Sequence, residues 1–323
     1  MTKPRVLVTR RWPEAVEAAL KERYDLVLNE DDRPMDEDGL RAALRDMDAV
    51  LPTVSDRLDA AVFEVENPKA RFLGNYGVGY SHIDTEAAKR HGIVVTNTPD
   101  VLSDCTADLA MALLLASARR IGEGERQVRG KAWSGWHPMH MQGGKVAGKT
   151  LGIIGFGRIG REVAKRAHHG FDMKVVYFDK YPAKPEVERD LGAERRDTVD
   201  DVLAEADFVS LHCPGGQENY HLIDAERLKR MKPTAYLVNT ARGEVVDGAA
   251  LAEALNAGTI AGAGLDVYEG EPKVNEALLA CENAVLLPHL GSATKDTRIA
   301  MGMRVLQNLD AFFAGKEPPD RVA

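Results

Sequence analysis

One histidine, one arginine and several carboxylates stand directly after three apolar, strand-like runs: Val238-Asn-Thr-Ala-Arg-Gly243, Gly264-Leu-Asp-Val-Tyr-Glu-Gly-Glu-Pro272 and Leu287-Pro-His-Leu-Gly-Ser292. The C-terminal ends of strands are where open α/β sheets form their ligand crevice. These side-chain types suit the reduction of a carbonyl that neighbours a carboxylate. The guanidinium of Arg242 can bind the carboxylate by paired, charge-assisted hydrogen bonds and polarise the carbonyl. The imidazolium of His289 can give a proton to the oxygen as hydride reaches the carbon. A carboxylate beside it, from Glu269 or Glu271, favours the charged ring.

A hydride donor has its own signature upstream. Thr150-Leu-Gly-Ile-Ile-Gly-Phe-Gly-Arg-Ile-Gly160 sets Gly155, Gly157 and Gly160 in a GxGxxG array between a predicted strand and a predicted helix, Arg161 to His168. Gly155 permits the tight turn, Gly157 lets the backbone approach a pyrophosphate, and Gly160 allows the helix to pack closely on the strand. The helix N-terminus adds unpaired N–H groups for the phosphates. The next apolar run ends at Asp179, 24 residues after Gly155, where a carboxylate can accept hydrogen bonds from ribose hydroxyls. The same charge repels a 2'-phosphate, so NAD is expected over NADP, although Lys180 beside it could attract one.

Two blocks of alternating strand-like and helix-periodic segments must position these residues. The first has candidate strands Arg5 to Thr9, Asp25 to Asn29, Ala49 to Thr53, Arg71 to Asn75 and Ile93 to Asn97, with helical stretches Pro13 to Tyr24 and Gly39 to Met47. The second has six, at Thr150 to Gly155, Lys174 to Asp179, Phe208 to Cys213, Ala235 to Asn239, Ile260 to Val267 and Ala284 to Leu287. Between the blocks, Ser103 to Arg120 reads as one helix, apolar nearly all round, expected to be buried at a domain or subunit interface. A last helical stretch, Ala293 to Phe313, can fold back onto the first block. The expected fold is α/β, with two Rossmann-like, doubly wound parallel-sheet domains and a cleft between them. The substrate domain would comprise 1–99 with 290–323, and the NAD-binding domain 100–289.

Together these segments resemble the D-isomer-specific 2-hydroxyacid dehydrogenases, and the likeness covers essentially the whole chain. NTARG, LDVYEGEP and LPHLGSAT are similar to that family's catalytic segments and stand in the same order. The resemblance implies that Arg242 binds substrate, that Glu271 is the acid and that His289 is the proton donor. It further implies that Asp266 contacts the nicotinamide carboxamide, and that Thr106, Arg158, Ile159, Cys213, Thr240 and Gly291 lie along the cofactor. Asn75-Tyr-Gly-Val-Gly-Tyr-Ser-His-Ile-Asp84 is similar to the family's substrate loop. Val78 and Gly79 would offer it backbone N–H groups, and Leu51 would line the same pocket.

Trp133-Ser-Gly-Trp-His-Pro-Met-His-Met-Gln-Gly143 resembles the glyoxylate and hydroxypyruvate reductase branch. There, a tryptophan matching Trp136 reaches the partner's active site in a homodimer. The implied substrate is a small 2-oxo or 2-hydroxy acid. A D-lactate dehydrogenase or another D-2-hydroxyacid dehydrogenase is the alternative, and a dinucleotide-sensing corepressor of the same fold is a further one. A formate dehydrogenase would carry glutamine where Glu271 stands.

Composition narrows the partners. With 323 residues and 44% hydrophobic content the chain can bury two cores. A net charge of -8 provides no basic field for nucleic acid or an anionic membrane. The longest apolar run, Leu109 to Ala116, is far short of the roughly 20 residues that cross a bilayer. The N-terminus does not read as a signal peptide, so a cytoplasmic location is expected. Cys105, Cys213 and Cys281 have no CxxC spacing and are expected to be small core residues, with no metal bound.

Overall fold

The structure, a computed structural model, describes residues 2–323. It contains two compact units, one running up to Leu102 and resuming at Ala293–Ala323, the other Ser103–Ser292. The first division falls at the start of the helix Ser103–Ala118, and the second two residues before the helix Lys295–Phe313.

In the first unit, β1 (Arg5–Val8), β2 (Asp25–Leu28), β3 (Ala49–Leu51), β4 (Phe72–Gly74) and β5 (Val94–Thr96) form one sheet in the order β2-β1-β3-β4-β5. Every pairing is parallel. Parallel strands are covered on both faces, which is why β3 and β4 are apolar without alternation and buried at every position. The C-terminal helix, Lys295–Phe313, packs on this sheet: Gly74 leaves room for Val305, whose Cγ1 would lie 2.6 Å from a Cβ there. The tail after it adds backbone bonds to Val95.

In the second unit, β6 (Thr150–Ile154), β7 (Lys174–Phe178), β8 (Ala193–Arg195), β9 (Phe208–Leu211), β10 (Tyr236–Asn239), β11 (Gly262–Leu265) and β12 (Ala284–Leu286) form an all-parallel sheet. Its order is β12-β11-β10-β9-β6-β7-β8, a dinucleotide-fold order whose direction reverses beside β6. Seven strands stand where six are expected. The extra one, β8, is the short edge sequence Ala-Glu-Arg, whose charges suit an edge and leave no apolar run to read.

Within its own unit, the helix Ser103–Ala118 is covered along one side. Thr106, Ala107, Ala110, Met111, Leu113, Leu114, Ser117 and Ala118 are buried within this unit. Leu109, Ala112, Leu115 and Ala116 on the opposite side are half-buried or exposed. Small residues on both sides let it lie close to β11, where Gly264 fits beneath Leu113. Among the described residues no helix is long and apolar enough to cross a membrane.

Candidate active site

The turn after β6 is built by its glycines. Gly155 has φ +92°, and a Cβ on it would lie 2.5 Å from the backbone of His212 and Cys213, just after β9. The turn therefore sits at the point where strand order reverses. A Cβ on Gly160 would lie 2.3 Å from the Gly155 carbonyl, so the helix rests directly on the turn. Gly157 is exposed, and a Cβ there would meet nothing within 4 Å. That helix runs Arg158–Phe171, starting earlier than the expected Arg161, so Arg158, Ile159 and Gly160 form its first turn. Asp179 follows β7 and braces the same turn: its Oδ2 accepts from the Phe156 N–H at 2.7 Å and its Oδ1 from the Tyr181 N–H at 3.0 Å.

The loops after β10, β11 and β12 bring Arg242, Glu271 and His289 into one cluster of ionisable side chains. His289 Nδ1 lies 2.8 Å from Glu271 Oε2, and Glu271 Oε1 accepts from the Tyr268 N–H at 2.9 Å. Burial pushes the Glu271 carboxyl up, but the His289 hydrogen bond and charge, the Tyr268 N–H and Arg242 outweigh it and leave it below the usual carboxylate range. Burial lowers the Arg242 guanidinium, opposed by Glu244 and Glu271. His289 has φ +55°, an uncommon conformation for a residue other than glycine. Asp266, 1% exposed, holds it there: its carboxylate accepts from the N–H groups of Leu290 at 2.6 Å and Gly291 at 2.8 Å, and its carbonyl from the His289 N–H. Thr106 Oγ1 donates to the Gly291 carbonyl at 3.1 Å.

In the first unit, the loop after β4 is shaped by Asn75, which is fully buried. Its Nδ2 donates to the carbonyls of Gly77 and Gly79, each at 3.0 Å, and its Oδ1 meets His82 Nε2 at 3.0 Å. Asn97 Nδ2 takes the Val78 carbonyl at 2.8 Å. With the carbonyls engaged, the N–H groups of Val78 and Gly79 donate to no acceptor among the described residues. Leu51 is fully buried and packs toward Gly74, so its side chain supports the sheet beneath the loop instead of lining an open pocket.

A profile of the D-isomer specific 2-hydroxyacid dehydrogenase, NAD binding domain, matches residues 111–291. A glyoxylate reductase of Thermococcus onnurineus is 48% identical over 99% of this chain and 96% of its own. The crystal structure of an NADPH-dependent glyoxylate/hydroxypyruvate reductase from Sinorhizobium meliloti, in complex with NADP and malonate, matches with a TM-score of 0.88 and 35% identity, covering 100% of this chain and 97% of its own. That of Rhodotorula graminis D-mandelate dehydrogenase matches at 0.87 and 29% identity, covering 100% and 98%. The chain belongs to the D-isomer specific 2-hydroxyacid dehydrogenase family. It is an NAD(P)-dependent oxidoreductase.

The residues around the glycine turn fit the dinucleotide of this family. The space over Gly157 is open, and Thr240 Oγ1, after β10, is buried with no hydrogen-bond partner. Cys213 is half-buried, its thiol pushed up to about 12 chiefly by burial, so it is unreactive. Cys105 is likewise half-buried, and only Cys281 is the expected core residue.

Several supporting residues carry no chemistry of their own and escape a sequence reading. Asn239 folds the NTARG turn by donating to the Arg242 carbonyl and accepting from the Ala241 N–H. Gly243 lets that turn touch the next loop: a Cβ would lie 1.8 Å from the Tyr268 carbonyl carbon. Tyr268 OH donates to the Leu287 carbonyl at 2.8 Å, tying the second loop to the third. The one available signal was that Asn239 and Gly243 flank Arg242 so closely.

Proposed function

We propose that this protein reduces glyoxylate, hydroxypyruvate or a similarly short 2-oxo acid to the D-2-hydroxy acid, with NADH preferred over NADPH. The observation that carries the reading is the Arg242, Glu271 and His289 group, in which Glu271 occupies His289 Nδ1 and leaves Nε2 as the outer ring nitrogen. A bound dihydronicotinamide dinucleotide supplies the hydride. Arg242 holds the substrate carboxylate and draws electron density toward the carbonyl oxygen. As the new C–H bond forms, the carbonyl π pair moves to oxygen, which takes the proton from His289 Nε2. Glu271 stabilises the imidazolium before that transfer. Val78 and Gly79 offer N–H groups to the substrate carboxylate from the first unit.

Gly155, Gly157 and the first turn from Arg158 to Gly160 would hold the pyrophosphate. Thr106, Cys213, Thr240, Asp266 and Gly291 would line the rest of the cofactor. Both Asp266 oxygens already hold backbone N–H groups, so it would meet the carboxamide only through remaining lone pairs. NADH preference rests on Asp179, whose charge opposes a 2'-phosphate, and on Lys180, which is paired with Glu218. A homodimer is supported by Trp136 at 82% exposure and by Trp133, Met139, Ile121 and Val128, all exposed within 121–139. In this reading Trp136 reaches the partner's site.

The test is a panel of glyoxylate, hydroxypyruvate, pyruvate and phenylpyruvate, assayed with NADH and NADPH in parallel. The short acids with NADH should give the highest kcat/KM. Faster turnover of phenylpyruvate would overturn the substrate assignment, and equal use of NADPH would overturn the role of Asp179. Sedimentation of the active enzyme at one chain's mass would remove the dimer.

A further inference from the structure

The loop that carries Glu271 holds a second histidine–carboxylate pair two residues earlier. Glu269 Oε2 lies 2.9 Å from His221 Nε2, and its Oε1 accepts from Tyr220 OH at 2.8 Å. The rings of Tyr220 and His221 stack at 4.0 Å. His221 is itself fixed from behind. Its N–H donates to the Glu244 carbonyl at 2.8 Å, its Nδ1 lies 3.7 Å from Asp247, and its backbone has φ +47°. The next residues run beside Val245 and Val246, with the Ile223 N–H bonded to the Val245 carbonyl at 2.9 Å.

Three anchors therefore meet on 268–271. Gly243 contacts the backbone of Tyr268 and Glu269, Tyr268 OH is tied to the Leu287 carbonyl, and Glu269 is gripped by Tyr220 and His221. Only the last acts through the side chain of Glu269, two residues before Glu271. Gly270, with φ +74°, stands between Glu269 and Glu271 in a conformation that glycine adopts without strain. Glu271 is also held by the Tyr268 N–H at 2.9 Å, so loss of the Glu269 grip loosens its hold on His289 without freeing it.

We propose that His221 and Tyr220, acting through Glu269, are positioning residues that hold Glu271 against His289. This rests on the reading of Glu271 and His289 as the acid–base pair. The other charged groups facing that pair are Arg242 and Asp266, and both remain when the clamp is removed. The His221 and Tyr220 hydrogen bonds keep the Glu269 carboxyl below the usual range, so the clamp stays charged at neutral pH and loosens only in acid.

The experiment compares pH profiles of kcat for the intact enzyme, Glu269→Ala, His221→Gln, Glu271→Gln and the double variant, with NADH affinity and Tm alongside. Glu269→Ala should lower kcat about tenfold and move the alkaline limit of oxo-acid reduction to lower pH, with NADH affinity retained. His221→Gln keeps an N–H that can reach Glu269 and should retain most activity. The double variant should be no worse than Glu271→Gln, because Glu269 acts through Glu271. A lower Tm with an unmoved profile, or an additive loss in the double variant, overturns the clamp. If Glu271→Gln itself leaves the profile unmoved, the acid–base reading falls and the clamp falls with it; if only Glu269→Ala does, the clamp falls alone. Should Glu269→Ala fail to fold, Tyr220→Phe removes one bond at constant charge and must shift the limit in the same direction.

Discussion

The loop after β4 in the first unit and the three loops after β10, β11 and β12 in the second carry opposite kinds of polar group. The first presents backbone N–H groups from Val78 and Gly79, with the working side chain, Asn75, hidden behind them. The second presents ionisable side chains, with His289 and Glu271 each 32% exposed, and hides its backbone in contacts such as Gly243 on Tyr268. An anion can be held by fixed dipoles that never change charge, whereas proton delivery needs a side chain that does. Damage to the first unit should therefore appear in KM, and damage to the second in kcat.

The largest test of that division is His289→Ala. Removing a positioned general acid costs about 10² to 10⁴ in rate, so kcat should fall by that much while NADH still binds at the glycine turn. Fluorescence titration with NADH beside steady-state kinetics measures both. Near-normal kcat would mean that another group delivers the proton.

Arg242→Lys comes next and straddles the division, since the guanidinium both anchors and polarises. Lysine keeps the charge but loses the paired fork. The loss of one charge-assisted bond, about 1.5–3 kcal/mol, corresponds to roughly 10- to 150-fold in kcat/KM, shared between kcat and KM. Unchanged kinetics across several oxo acids would remove Arg242 from the substrate.

The same contrast explains what could be read from the chain alone. Arg242, Glu271 and His289 stand out as candidates because reactive side-chain types follow apolar runs, and the glycine turn because its spacing is tied to a strand and a helix. Eleven of the twelve strands were legible as apolar runs, and β8 was not, because an edge strand of alanine, glutamate and arginine has no such run. Asn75, Asn239 and Gly243 were silent as functional residues. An amide that shapes a loop looks like any other amide until the carbonyls it binds are known. Leu51 shows the reverse: it ends a strand, a position that reads as pocket lining, yet its side chain is fully buried beside Gly74.

Asn75→Ala tests the first unit in its own terms. The variant frees the carbonyls of Gly77 and Gly79 and releases the loop, so KM for the oxo acid should rise about tenfold with kcat within about twofold. Some stability is lost with the buried hydrogen bonds, about 1–3 kcal/mol, and a thermal melt verifies that the protein remains folded at the assay temperature. A fall in kcat at constant KM would break the comparison, because the loop would then be shaping the reaction step as well as the anchor.

The smallest and sharpest test uses two buried hydroxyls, one in each unit. Thr240 Oγ1 in the second unit and Thr96 Oγ1 in the first both lack a hydrogen-bond partner. A buried, unpaired hydroxyl is a cost that valine removes at nearly the same shape, so each Thr→Val change should raise the melting temperature of its unit by about 2 °C. Their effects on cofactor should differ. If Thr240 faces the dinucleotide, its hydroxyl gains a partner on binding, and Thr240→Val gives up about 1 kcal/mol, or about fivefold in NADH affinity. Thr96 lies in β5, in the first unit, so Thr96→Val should stabilise without changing NADH affinity. Equal NADH affinity in both variants would leave Thr240 as ordinary packing and remove it from the cofactor wall. A loss confined to Thr240→Val would set the two hydroxyls apart by the ligand each unit holds.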